Sequence, residues 1–110
     1  MKYGLKNDTI KTIQDIFTRY PRIEKVILYG SRAKGTHRNG SDIDLTLIGK
    51  DLDLTTLFEI ETVLDDLLLP YKIDLSIYHK IENADLLDHI ERVGLVFYER
   101  KKKSKKSNQS

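Results

Sequence analysis

A chain of 110 residues, 39% hydrophobic and 33% charged, has the length of one small domain and the composition of a folded, globular chain rather than a disordered one. The absence of cysteine excludes a disulfide framework, thiolate zinc ligation and a cysteine nucleophile. The net charge of +2 hides an asymmetry, because five of the 19 basic residues lie in the last ten positions and leave 14 basic against 17 acidic groups before them.

The opening residues, MKYGLKNDTI, hold no apolar run of the secretion-signal kind, and no stretch reaches the roughly 20 apolar residues of a membrane helix. The expectation is a cytoplasmic protein with no membrane contact. Ile10, Ile13, Phe17 and Tyr20 recur at helical spacing beside Ile16, with Asn7 or Asp8 as candidate cap and Pro21 as the stop. KVILYG reads as a short buried strand ending at Gly30, SRAKG as a brief helical turn and THRNGS as a polar loop. DIDLTLI alternates strictly, which sets Ile43, Leu45 and Leu47 on a core face and Asp42, Asp44 and Thr46 on the other. Leu57, Ile60, Leu64 and Leu67 mark a second helix closed by Pro70. KIDLSIY alternates again, with Ile73, Leu75 and Ile77 inward and Lys72, Asp74 and Ser76 outward. Leu86, Leu87, Ile90 and Val93 suggest a third long helix, and LVFYER an edge strand or a packed extension. The order predicts an α/β or α+β domain in which helices flank a small mixed central sheet. A core this small is helped by a partner, so a homo- or hetero-oligomer is compatible with it. The lysine-rich end, residues 101–110, reads as a disordered solubilising tail, with a weak contact to nucleic acid or an acidic partner as the alternative.

The stretch from Gly30 to Leu45, GSRAKGTHRNGSDIDL, carries the chemistry. Gly30 and Ser31 stand where a strand hands over to a helical turn, a junction whose outward N–H groups suit phosphate oxygens, and Gly35 lets the chain turn back. Asp42 and Asp44, two apart on a strand, project from one face, and Asp74 occupies the equivalent face of the next strand. If those strands are neighbours, three carboxylates converge. Two carboxylates about 5 Å apart repel by roughly 3 kcal/mol at an effective dielectric of 20. A divalent ion turns that repulsion into binding, and oxygen ligation suits magnesium or manganese. Two ions would activate a hydroxyl and stabilise a pyrophosphate leaving group. The P-loop pattern fails, since Thr36 and His37 stand where its lysine and hydroxyl belong, and no G-x-G-x-x-G occurs.

Each of these residues also has a plainer reading. Asp-x-Asp alone is most often a polar strand face, Ser31 a helix cap, and Ser41 a loop residue that orients Asp42. Arg32 and Lys34 are candidate phosphate partners or solvated surface. His37, His79 and His89 lack metal-ligand spacing and read as surface or packing residues, the six tyrosines as core or interface, and Asp65 and Asp66 as solvated.

Gly30-Ser31, Ala33, Gly35 and Ser41-Asp42-Ile43-Asp44-Leu45 together resemble the signature of the DNA polymerase beta-like nucleotidyltransferases, and within them the minimal, single-domain members. The likeness spans residues 1–100. It implies a palm-like nucleotidyltransferase fold, with the triphosphate at Gly30, Ser31 and Ser41. It also implies magnesium on Asp42 and Asp44, with Asp74 completing the site and helping to deprotonate the acceptor. Many small members resemble antitoxins that silence a HEPN-domain toxin by adding AMP from ATP to it. The expected function is therefore transfer of AMP to a hydroxyl on a helical partner protein. The alternatives are a non-catalytic antitoxin acting by occlusion, and an RNA-end nucleotidyltransferase, which the mildly acidic body disfavours.

Overall fold

The computed structural model describes residues 1–101. Helix α1 (Asn7–Thr18) leads to strand β1 (Lys25–Tyr29), the single turn α2 (Ser31–Lys34) and strand β2 (Ile43–Ile48). Helix α3 (Leu54–Asp65), strand β3 (Ile73–Ile77), a 3-10 turn (Tyr78–Lys80), helix α4 (Ala84–Val93) and strand β4 (Leu95–Glu99) complete the described order. The strands form one mixed sheet in the order β3-β2-β1-β4. β1 runs antiparallel to β2 and to β4, whereas β2 and β3 are parallel and joined by the α3 crossover. The LVFYE part of the LVFYER segment is thus an edge strand, β4, opposite the β3 edge. The expectation for the lysine tail falls, from residue 102 onward, outside the described residues.

One face of the sheet meets α1 and α3. Ile13, Ile16 and Phe17 from α1 and Ile60 and Leu64 from α3 are buried against Val26, Leu28, Ile43, Leu45, Leu47 and Leu75. Burial of this apolar set, at about 25 cal/mol per Å², is what fixes which face of each strand points inward. No helix of the described residues is long and apolar enough to cross a membrane.

Three local expectations need correction. Helix α1 begins at Asn7 itself, with extended Lys6 before it and no side-chain cap. Its start is set instead by Leu5, fully buried and tied back to Lys2 by paired backbone hydrogen bonds of 2.8 and 3.1 Å. Helix α3 ends at Asp65, ahead of Leu67 and well before Pro70, because the chain turns left-handed at the exposed Leu68 (φ 53°). Thr46, expected on the open face, has no exposure at all. That second face is partly roofed: Ile90 of α4 is buried, Gly94 abuts Ile27, and the turn at 78–80 packs against β2. Thr46 is satisfied there by the Ser76 hydroxyl, which donates to it at 2.9 Å.

Candidate functional site

The parallel pairing of β2 with β3 aligns two nearly identical segments, IDLTL and IDLSI, like with like. Ile43 pairs with Ile73, Asp44 with Asp74, Leu45 with Leu75, and Thr46 with Ser76. Leu45 and Leu75 fall into the core, so Asp44 and Asp74 emerge side by side on the opposite face. Adjacent strands lie about 4.8 Å apart, and like charges directly opposite are unfavourable. Asp42, exposed, stands just ahead of β2 on the same face by alternation.

The field of this cluster is legible in Asp44. Its carboxyl titrates above the ordinary value of 3.8, first because it is partly buried, then because Asp74 and Asp42 repel its charge. His89 and Arg32 pull it part of the way back. Tyr29, opposite Asp44 on β1, is pushed up by burial above all, with Asp74 and Asp44 adding to it and the Ser76 hydroxyl opposing. The three aspartates thus form one electrostatic unit. Their side chains are not drawn to a single point: among the described residues no three acidic or histidine groups are close enough to close round an ion. The donor set is nonetheless all carboxylate oxygen, the chemistry that suits magnesium or manganese.

Gly30 joins the phosphate-type turn to this acid face. It sits at φ 75° and ψ −157°, a region only glycine enters readily, and a Cβ there would collide with the Asp44 carboxylate. Gly35, left-handed at φ 82°, ends α2 and reverses the chain toward the loop. Ser31, half-exposed, opens α2. The amide of Gly30 is not open, however: it donates to Nε2 of His89 at 3.1 Å. That imidazole, presented from α4, also meets Tyr29 edge-on at 6.1 Å. His89 and Tyr29 therefore border the site, where the sequence suggests only a surface or packing histidine and a core or interface tyrosine. The one signal for His89 was its place beside Ile90 on the apolar stripe of α4.

The flanking loop is held from within. Arg32, expected as a phosphate partner or a solvated surface residue, is not at the surface: it is 3% exposed. Its guanidinium donates to the Ser41 carbonyl at 2.8 and 3.1 Å and to the Tyr3 carbonyl at 2.8 Å, and lies 4.9 Å over the Tyr71 ring. Ser41 Oγ accepts from the Arg38 amide at 2.8 Å, which fits its reading as the residue that orients the Asp42 loop. Lys34 is exposed and makes no ion pair among the described residues.

The family model described as polymerase beta, nucleotidyltransferase matches residues 11–103. No curated protein matches the sequence. Among solved structures, a toxin-antitoxin complex with AMP-PNP aligns at a TM-score of 0.65 and 21% identity, covering 96% of this chain and 80% of that one. A tri-AMPylated Shewanella oneidensis HEPN toxin in complex with MNT antitoxin aligns at 0.63 and 17% identity, over 96% and 78%. The MntA-HepT toxin-antitoxin complex aligns at 0.63 and 17%, over 94% and 78%. At these identities the likeness establishes the fold.

Proposed function

The chain belongs to the polymerase beta nucleotidyltransferase family, and on that premise we propose that it transfers AMP from ATP to a hydroxyl of a partner protein. The partner we infer is a helical HEPN-type protein, the pair acting as antitoxin and toxin. Support comes from the fold shared with an antitoxin found beside an AMPylated HEPN toxin, and from a fold relative crystallised with AMP-PNP. The observation that carries the chemistry is the register of Asp44 opposite Asp74, with Gly30 in contact with the Asp44 carboxylate.

In the proposed reaction the acceptor oxygen attacks the α-phosphorus, its bond to the bridging oxygen breaks, and pyrophosphate leaves. Asp74, exposed on β3, accepts the hydroxyl proton. Asp42 and Asp44 would hold magnesium, which supplies positive charge to the triphosphate and to the attacking oxygen. The turn at Gly30 and Ser31 receives phosphate oxygens, and a phosphate that takes the Gly30 amide displaces the His89 nitrogen now bonded to it. Ser41 contributes by holding the loop, through its own hydroxyl and through Arg32.

The test is labelling. Protein, magnesium and each of the four α-labelled nucleoside triphosphates are incubated with host-cell extract, beside an Asp42→Asn/Asp44→Asn control. Label from ATP on one protein band, with wild type alone, is the expected outcome. Label on RNA transfers the reading to an RNA end. If no nucleotide labels anything while the double variant still neutralises the partner, occlusion replaces catalysis.

A further inference from the structure

Beside the loop from α2 to β2 lies a cavity of about 340 Å³, walled by Gly4, Arg32, His37, Arg38, Gly40 and Tyr71 among others. None of Asp42, Asp44 and Asp74 lines it, and no carboxylate does. Its polar groups lack partners of opposite charge. Arg32 is buried, yet among the described residues it forms no ion pair, and its bonds go to neutral carbonyls and an aromatic face. Asp44 senses its charge only from a distance. A buried cation is costly unless paired, and carbonyl dipoles balance only part of it. Nδ1 of His37 is the one buried side-chain polar atom without a hydrogen-bond partner among the described residues. The same imidazole and Nη1 of Arg32 crowd Gly4 together, so both belong to one wall. Arg38 adds a second guanidinium, exposed and without an ion pair among those residues.

We infer that this cavity binds a phosphate-type oxyanion, held by Arg32, His37 and Arg38, at a site separate from the aspartates. The missing counter-charge of Arg32, the unpartnered imidazole and the basic, carboxylate-free wall call for the same thing, a compact anion with several acceptor oxygens. Inorganic phosphate and the phosphate of a mononucleotide share that chemistry, and the volume admits either. Arg32 grips the carbonyl of Ser41, one residue before Asp42, so an anion that draws the guanidinium acts on the loop that delivers the first aspartate. This site does not depend on the transferase reading.

The experiment is calorimetric titration of the full chain with inorganic phosphate, and separately with AMP, in the presence of a chelator, alongside thermal midpoints. Saturable phosphate binding marks the free oxyanion as the ligand; saturation by AMP alone marks the nucleotide. In either case Arg38→Ala weakens binding at least tenfold, and Asp42→Asn/Asp44→Asn retains it. His37→Leu removes an unpartnered buried nitrogen, so it keeps the fold but loses the ligand-induced rise in midpoint. Arg32→Gln is unsuitable as sole evidence because it also removes the loop clamp, whereas Arg38 is exposed. Binding of neither probe, or binding that survives both Arg38→Ala and His37→Leu, overturns the assignment.

Discussion

At Gly30 two constraints coincide, a backbone conformation closed to other residues and a carboxylate oxygen where a Cβ would go. Gly30→Ala is expected to cost about 1–3 kcal/mol, read as a lower midpoint in calorimetry, and to reduce transfer by displacing Asp44. At Asp44 the proposed function and stability oppose each other. Its titration point is raised in the fold, so its stability contribution is fully present below the ordinary 3.8 and is lost as pH rises through the raised value. At neutral pH and without metal the ionised side chain therefore works against the fold. Asp44→Asn should abolish transfer and stabilise the metal-free protein at pH 7, by no more than about 1 kcal/mol given solvent screening at a half-exposed group, read as a higher thermal midpoint. The gap between variant and wild type should close as pH is lowered toward 4. A variant less stable than wild type at pH 7 would contradict that electrostatic account.

Among the elements, the end of α1 with its following turn and the end of β4 are bound together by one arginine. Arg100, just past β4, donates to the carbonyls of Tyr20 at 2.9 Å and Ile23 at 3.0 Å, with longer contacts to Phe17 and Thr18. Tyr20 and Ile23 lie in the turn that follows α1, and the Phe17 and Tyr20 carbonyls already accept backbone N–H groups from Tyr20 and Ile23, so Arg100 adds a second donor there and braces the turn. Pro21 blocks continuation of α1, but Arg100 anchors its end to the sheet. Arg100→Ala should cost about 1.5–2 kcal/mol, since charged hydrogen bonds to part-buried carbonyls are lost, and urea midpoints will measure it. Arg100→Lys should recover only part, because an ammonium lacks the planar fork that spans several carbonyls.

For the whole molecule, the site depends on elements distant in sequence: β1 with its turn, β2, β3 and α4. Ligand that binds the assembled face stabilises the entire fold by linkage, about 2.7 kcal/mol at a hundred times its dissociation constant. Magnesium with AMP-PNP should raise the thermal midpoint of wild type by several degrees and leave Asp42→Asn/Asp44→Asn unmoved. An equal rise in both proteins would place the nucleotide away from the aspartates.

Much of this architecture was legible in sequence, because period-two alternation in DIDLTLI and KIDLSIY and the helical stripes between them report burial directly. The same alternation assigned Asp42, Asp44 and Asp74 to the face away from the core. That Asp44 stands opposite Asp74, and not merely on the same side of the sheet, was decided by the parallel register, a contact between residues 30 apart in the chain. Arg32, Thr46 and His89 were misread or missed for a common reason. Each owes its environment to something long-range: the N-terminal carbonyl of Tyr3 for Arg32, the partner strand and the turn at 78–80 for Thr46, and α4 crossing toward β1 for His89. Local pattern determines which face of an element is apolar, but only packing decides what covers the other face.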